Sequence, residues 1–92
     1  MNIEVNGNVI NINSPIATIA DAQKLIEILN SKENSSHIIL NIKSFSLPSS
    51  IIGELLRLAD SNVKITINVY DETLYELFDA LNLTSKFDIR KQ

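Results

Sequence analysis

The sequence predicts an α/β domain: a mixed, mostly parallel sheet of four or five strands, opened by an antiparallel hairpin and packed against helices. Three observations carry this. Strand-like runs alternate with amphipathic segments of helical length, the pattern of crossover-connected parallel strands. The first twelve residues alternate around Asn6-Gly7, which reads as a tight hairpin. A chain of 92 residues, 45% hydrophobic, suffices for a single domain (residues 1–92) with one core two layers deep.

Taken in order, Ile3 and Val5 point one way, and Val9, Ile10 and Ile12 resume the pattern after an expected type I′ turn at Asn6-Gly7. Asn13-Ser14-Pro15 interrupts it, because Pro15 cannot donate to a ladder. A helix follows over 18–30, with Thr18 capping, Asp21 in its first turn, and Ala22, Leu25, Ile26 and Leu29 as the buried stripe. His37 to Ile42 is a strand whose consecutive Ile38, Ile39 and Leu40 imply burial on both faces. A second helix runs from Ser49 to Ala59, with Ser49 as its cap and Ile52, Leu55, Leu56 and Ala59 facing the core. Val63 to Val69 alternates, with Lys64, Thr66 and Asn68 on a wetter face. Asp71 caps a third helix over 72–81, with Leu74, Leu77, Phe78 and Leu81 inward and Asn82 as a left-handed terminator. Leu83 and Phe87 pack back, and 87–90 adds a short last strand.

Charge and composition then exclude most chemistry. Eight basic and eleven acidic residues give a net charge of −3 without long runs, so no basic stripe for nucleic acid is present. There is no cysteine, which removes disulfides and thiolates and fits a reducing compartment. The start of the chain shows no basic region, long apolar run or cleavage site, and no apolar stretch approaches a membrane span. A cytoplasmic protein without membrane insertion is the expectation. His37 is the single histidine and opens a strand, where a solvated or structurally hydrogen-bonded ring explains it. With no cysteine, the usual zinc sites are out of reach. Only Gly7 and Gly53 are present, too few for a glycine-rich phosphate loop. Carboxylates such as Asp71 and Glu72 sit at a helix start, where capping accounts for them. No catalytic residue, metal or cofactor is expected.

The segment Pro48-Ser49-Ser50-Ile51-Ile52-Gly53 remains. Free N–H groups and the dipole at a helix N-terminus favour an anion. A phosphate on Ser49 would add roughly −1.5 to −2 charges where the fold tolerates them. Ile51 and Leu58, seven apart with Glu54 between them, lie outside the narrowest core stripe. They belong either to a wide buried stripe or to an apolar contact patch beside Ser49.

These residues resemble the STAS domain family, the anti-sigma factor antagonist fold, over nearly the whole chain. The core strand Ile38-Ile39-Leu40-Asn41-Ile42 leads to a loop–helix junction, Pro48 through Leu56, similar to the family's Asp-Ser-Ser-Gly-Leu-Gly pattern. Val63 to Val69 and Leu74 to Phe87, with Asn82-Leu83 and Ser85-Lys86-Phe87, resemble its closing strand and helix. The resemblance implies a STAS-like single domain that is not an enzyme. It implies a regulatory protein as partner, an ATP-binding serine kinase of the anti-sigma factor kind, which binds the unmodified form and releases the phosphorylated one. Ser49 would be the acceptor, with Ser50 beside it, and Ser49, Ser50, Ile51, Glu54 and Leu58 the contact residues. Other members act as constitutive subunits of transporters or other membrane-associated complexes without a switch, and some hold small ligands. Pro48 stands where the family has aspartate and Ile51 where it has its first glycine, while Gly53 is retained. These departures remove an acidic group that helps define a kinase's site and a residue that favours positive φ.

Overall fold

A computed structural model describes residues 2–92; Met1, which begins the predicted alternation, lies outside them. The elements are β1 (Ile3–Asn6), β2 (Val9–Ile12), α1 (Ile19–Asn30), β3 (His37–Ile42), α2 (Ser49–Asp60), β4 (Lys64–Val69), α3 (Glu72–Ala80), a 3-10 turn at Leu83–Ser85 and β5 (Asp88–Lys91). The five strands lie side by side in sequence order, β1 and β2 antiparallel and every later pair parallel. This is the predicted α/β architecture, a mixed sheet with three helices packed on it.

The hairpin turn sits one residue later than expected. Asn6 pairs with Val9, so Gly7 and Asn8 are the turn's central residues. Gly7 alone has positive φ, 61°, which is the signature of a type II′ turn. Glycine supplies that conformation at the first central position without a Cβ penalty. After β2 the chain leaves the sheet, and Ile16 drops into the core.

Each parallel connection steps to the next strand in the same direction, and right-handed crossovers of that kind lay every helix on one face. The burial pattern shows the result. Across the register, Ile10, Leu40 and Ile67 align, as do Ile12, Ile42 and Val69, and all six are fully buried. Leu25 and Leu29 of α1, Ile51, Leu55 and Leu58 of α2, and Leu74 and Phe78 of α3 close over them in a single core.

The other face has no helix on it, which corrects the expectation of burial on both sides of β3. Ile38, Leu40 and Ile42 are buried, whereas His37, Ile39 and Asn41 are only half covered. Consecutive apolar residues here reflect β-propensity on a flanked central strand rather than two covering layers. The open face satisfies itself laterally. Asn41 Nδ2 donates to Asn11 Oδ1 at 2.8 Å, and Asn68 Nδ2 donates to Asn41 Oδ1 at 2.7 Å, forming an amide ladder across three strands. One row away, His37 Nε2 and Thr66 Oγ1 lie 2.8 Å apart, so of the two roles expected of the histidine it takes the structural one.

Two helix faces are turned relative to prediction. In α2, Ile51, Leu55 and Leu58 form the deepest stripe, and Ile52, Leu56 and Ala59 pack at its margin. In α3, Leu74 and Phe78 are inward, but Leu77 and Leu81 are exposed, because the short helix meets β4 along only one line. Asn82, at φ 56°, ends α3 as predicted, and Leu83 and Phe87 return to the core. Among the described residues, no helix is long and apolar enough to cross a membrane.

Leu55→Ala should destabilise the domain by about 3 kcal/mol through lost transfer energy and a residual cavity. Asn41→Ala should cost about 1–2 kcal/mol by breaking two links of the amide ladder. Urea denaturation of the two variants against the parent chain measures both.

Candidate functional site

The three helices follow the carboxyl ends of β2, β3 and β4, so their N-termini gather at one end of the sheet, the usual location of binding sites in open α/β folds. What distinguishes them is how each is capped. Thr18 Oγ1 accepts from the Asp21 N–H at 3.0 Å, and Asp71 Oδ1 accepts from the Leu74 N–H at 3.1 Å. In α2 the cap is Pro48, not Ser49. Its φ of −60° and ψ of 146° already give the extended cap conformation, and its carbonyl accepts from Ile51 and Ile52 at 3.0 and 3.2 Å. A proline has no side-chain acceptor, so the first turn of α2 has no side-chain cap and no acidic residue.

Ser49 and Ser50 are therefore the first two helical residues. Both are exposed, and among the described residues neither hydroxyl takes part in a hydrogen bond. Their N–H groups point out of an uncapped helix end, a favourable setting for negative charge.

Beside Ser50 lies a groove of about 460 Å³, lined mainly by Ile16, Ile19, Ala22 and Ile26 from the α1 side and closed by Pro48. Ile19 is 79% exposed at its rim. The loop before α2 adds a second uncovered apolar group. Ser44 is buried, donating to the Ser46 carbonyl at 3.0 Å and accepting from the Ser46 N–H, and Leu47 is buried two residues before Ser49. Between these anchors Phe45 is turned outward, 60% exposed. Lys43 Nζ stands 5.6 Å from the centre of the Tyr70 ring at the same end of the sheet.

The sequence-predicted contact residues divide. Ser49 and Ser50 are at the surface as expected. Ile51 and Leu58 are fully buried, so the wide-stripe reading of them holds and neither can touch a partner of the folded domain. Position 51 points inward because the helix rests on the sheet through its 51–55–58 line. Glu54 is mostly covered and holds Arg57, whose Nη2 and Nε lie 2.6 and 3.0 Å from its Oε1. Arg57 also donates to Asn30 Oδ1 at 2.7 Å and lies 3.6 Å from Glu33, which ties α2 to the end of α1. The hydrogen bond to Glu54, with the charges of Glu54 and Glu33 behind it, raises the Arg57 guanidinium above its ordinary value. Glu54 thus holds Arg57, which makes the helix-to-helix tie, and is not a free contact.

The exposed apolar groups of the site, Ile19 and Phe45, were not among the predicted contacts. Ile19 falls off the α1 stripe and Phe45 is a lone aromatic in a serine-rich loop, which is the signal that singles them out. No group of three histidines, cysteines or carboxylates placed to hold a metal occurs among the described residues. No protein-family model matches the chain, and no curated protein or solved structure matches it either.

The capping difference has a direct test. Thr18→Ala should cost about 1 kcal/mol and Ser49→Ala under about 0.5 kcal/mol, because only the first hydroxyl caps a helix. Paired urea melts read the contrast; equal losses would place Ser49 at the cap after all.

Proposed function

We propose that this domain is a non-catalytic protein-interaction module of the cytoplasm, binding a regulatory protein through the start of α2 and the adjoining groove. The observation that carries the reading is the combination at one helix end: an uncapped N-terminus with exposed Ser49 and Ser50, a groove beside Ser50 rimmed by exposed Ile19, and exposed Phe45 in the loop leading into the helix. Apolar surface at a rim of polar groups is the composition of a contact site. Serines at an uncapped helix end add a position where charge alters binding without disturbing the core.

The resemblance of the loop–helix junction to STAS domains supports the more specific form of this reading. In it, the partner is an ATP-binding serine kinase of the anti-sigma factor kind, and Ser49, with Ser50 as the neighbouring candidate, accepts the phosphate. The contact set is then Ser49, Ser50, Ile19 and Phe45, with Ile51, Glu54 and Leu58 supporting the helix from beneath. A constitutive subunit of a transporter or other membrane-associated complex is the second reading, favoured by Pro48 in place of the family's aspartate.

Affinity purification from native cells with mass spectrometry separates them, since it reports partner and modification together. A kinase partner with phosphoserine at 49 or 50 is the expected result. A membrane-complex component with unmodified serines in every growth state supports the second reading. With the recovered partner, Ser49→Asp should weaken binding roughly tenfold and Ile19→Asp at least as much, while Ser49→Ala leaves it within about twofold. Unchanged binding by Ile19→Asp would remove the groove from the interface.

A further inference from the structure

We propose that a second copy of this chain pairs with the free edge of β5, antiparallel about a twofold axis at Ile89, joining two five-stranded sheets into one. This surface is separate from the start of α2, and the inference does not depend on the function proposed above.

The backbone of β5 is set up for it. Among the described residues, β5 ends the sheet with β4 as its only strand neighbour. The Gln92 N–H donates to the Val69 carbonyl at 2.8 Å. In a parallel ladder every second residue turns toward the same neighbour, so Arg90 and Asp88 also face β4. Ile89 and Lys91 then present their N–H and C=O groups to the outside. A twofold axis perpendicular to the sheet keeps each residue on its own face, so Ile89 meets Ile89 of the copy in a mutually bonded pair.

Charge selects this register. With the axis at Ile89, Asp88 stands opposite Arg90 of the copy, and Arg90 opposite its Asp88, on the open face of the sheet. Moving the axis by one residue sets Asp88 against Asp88, or Arg90 against Arg90, and like charges directly opposite are unfavourable. Both groups already lie at the edge: Arg90 Nη2 is 2.9 Å from Asp88 Oδ2 along the strand, and neither side chain is buried. That hydrogen bond first, then the charges of Arg90 and Lys64, holds the Asp88 carboxyl below its ordinary value, so both signs are present at neutral pH. The opposite edge, β1, has Glu4 as its one charged residue and no cation to match it. Pairing of β5 with β1 of another copy would be head-to-tail and would propagate into filaments.

An edge this short buries less than a standard interface of about 1,600 Å², so the dimer should be weak, with a Kd on the order of 100 μM. Sedimentation equilibrium on the full chain from about 10 μM to 1 mM covers the range. The parent should dimerise reversibly. Asp88→Arg and Arg90→Asp should each weaken the dimer by about tenfold, and the two together should restore it, because the swap rebuilds both cross-strand pairs. Ile89→Pro removes an outward N–H and leaves the β4 ladder intact, so it should keep the circular dichroism spectrum and lose the dimer. If Ile89→Pro fails to fold, the charge swap decides alone. A chain that stays monomeric to about 1 mM, a swap that does not rescue, or open-ended filaments in place of dimers would each overturn the proposal.

Discussion

Three successive crossovers step in the same direction, and most of this structure follows from that constraint. Right-handed connections that never reverse place α1, α2 and α3 on one side of the sheet. Half of each central strand is thereby committed to aliphatic side chains, since the covered face must be dry. The other half cannot be apolar without leaving a large exposed patch. Asn11, Asn41 and Asn68 meet that requirement by bonding to one another across the strands, so polar groups are satisfied where no helix reaches.

The same topology gathers the helix starts at one end and makes their caps comparable. α1 and α3 bring their own acceptors, in Thr18 and Asp71, and so close their N-termini. α2 enters through Pro48, which fixes the backbone angle and offers nothing to the free N–H groups. Backbone geometry and hydrogen-bond satisfaction are usually supplied by one residue; here proline supplies only the first. The second is left open at the surface, beside apolar groups that the helix layer does not cover.

Elements were legible in the sequence wherever period and punctuation agreed. β3 and the starts of α2 and α3 follow from clean apolar spacing bounded by Pro48 and Asp71, and the left-handed end of α3 from Asn82. Less legible was anything that depends on what covers an element. The run Ile38-Ile39-Leu40 is the same string whether one face or both are covered, and only the strand order decides. The inward line of α2 could be drawn through 52 and 56 or through 51, 55 and 58, because five apolar residues and Ala59 encircle much of the helix. For the site, the serines were visible because hydroxyls at a helix start are a local signal. The groove was not, because Ile16 and Ile19 line it with Pro48 across 28 residues or more of intervening chain, and no spacing rule reports that.

The burial of Ile51 and Leu58 also sharpens what a modification at Ser49 or Ser50 could do. Had those side chains formed the contact surface, the helix would sit lightly on the sheet, and a phosphate could act by shifting it. Instead α2 is fixed twice, by its 51–55–58 line against the sheet and by Arg57, which bridges Glu54 to Asn30 at the end of α1. A phosphate on either serine would break no hydrogen bond and would meet free N–H groups, so the fold has little reason to respond. Its effect would fall on the local field and on the volume beside Ile19. Under the proposed function, regulation at this site would therefore act by direct obstruction or repulsion of a partner, not by a conformational change carried through the helix.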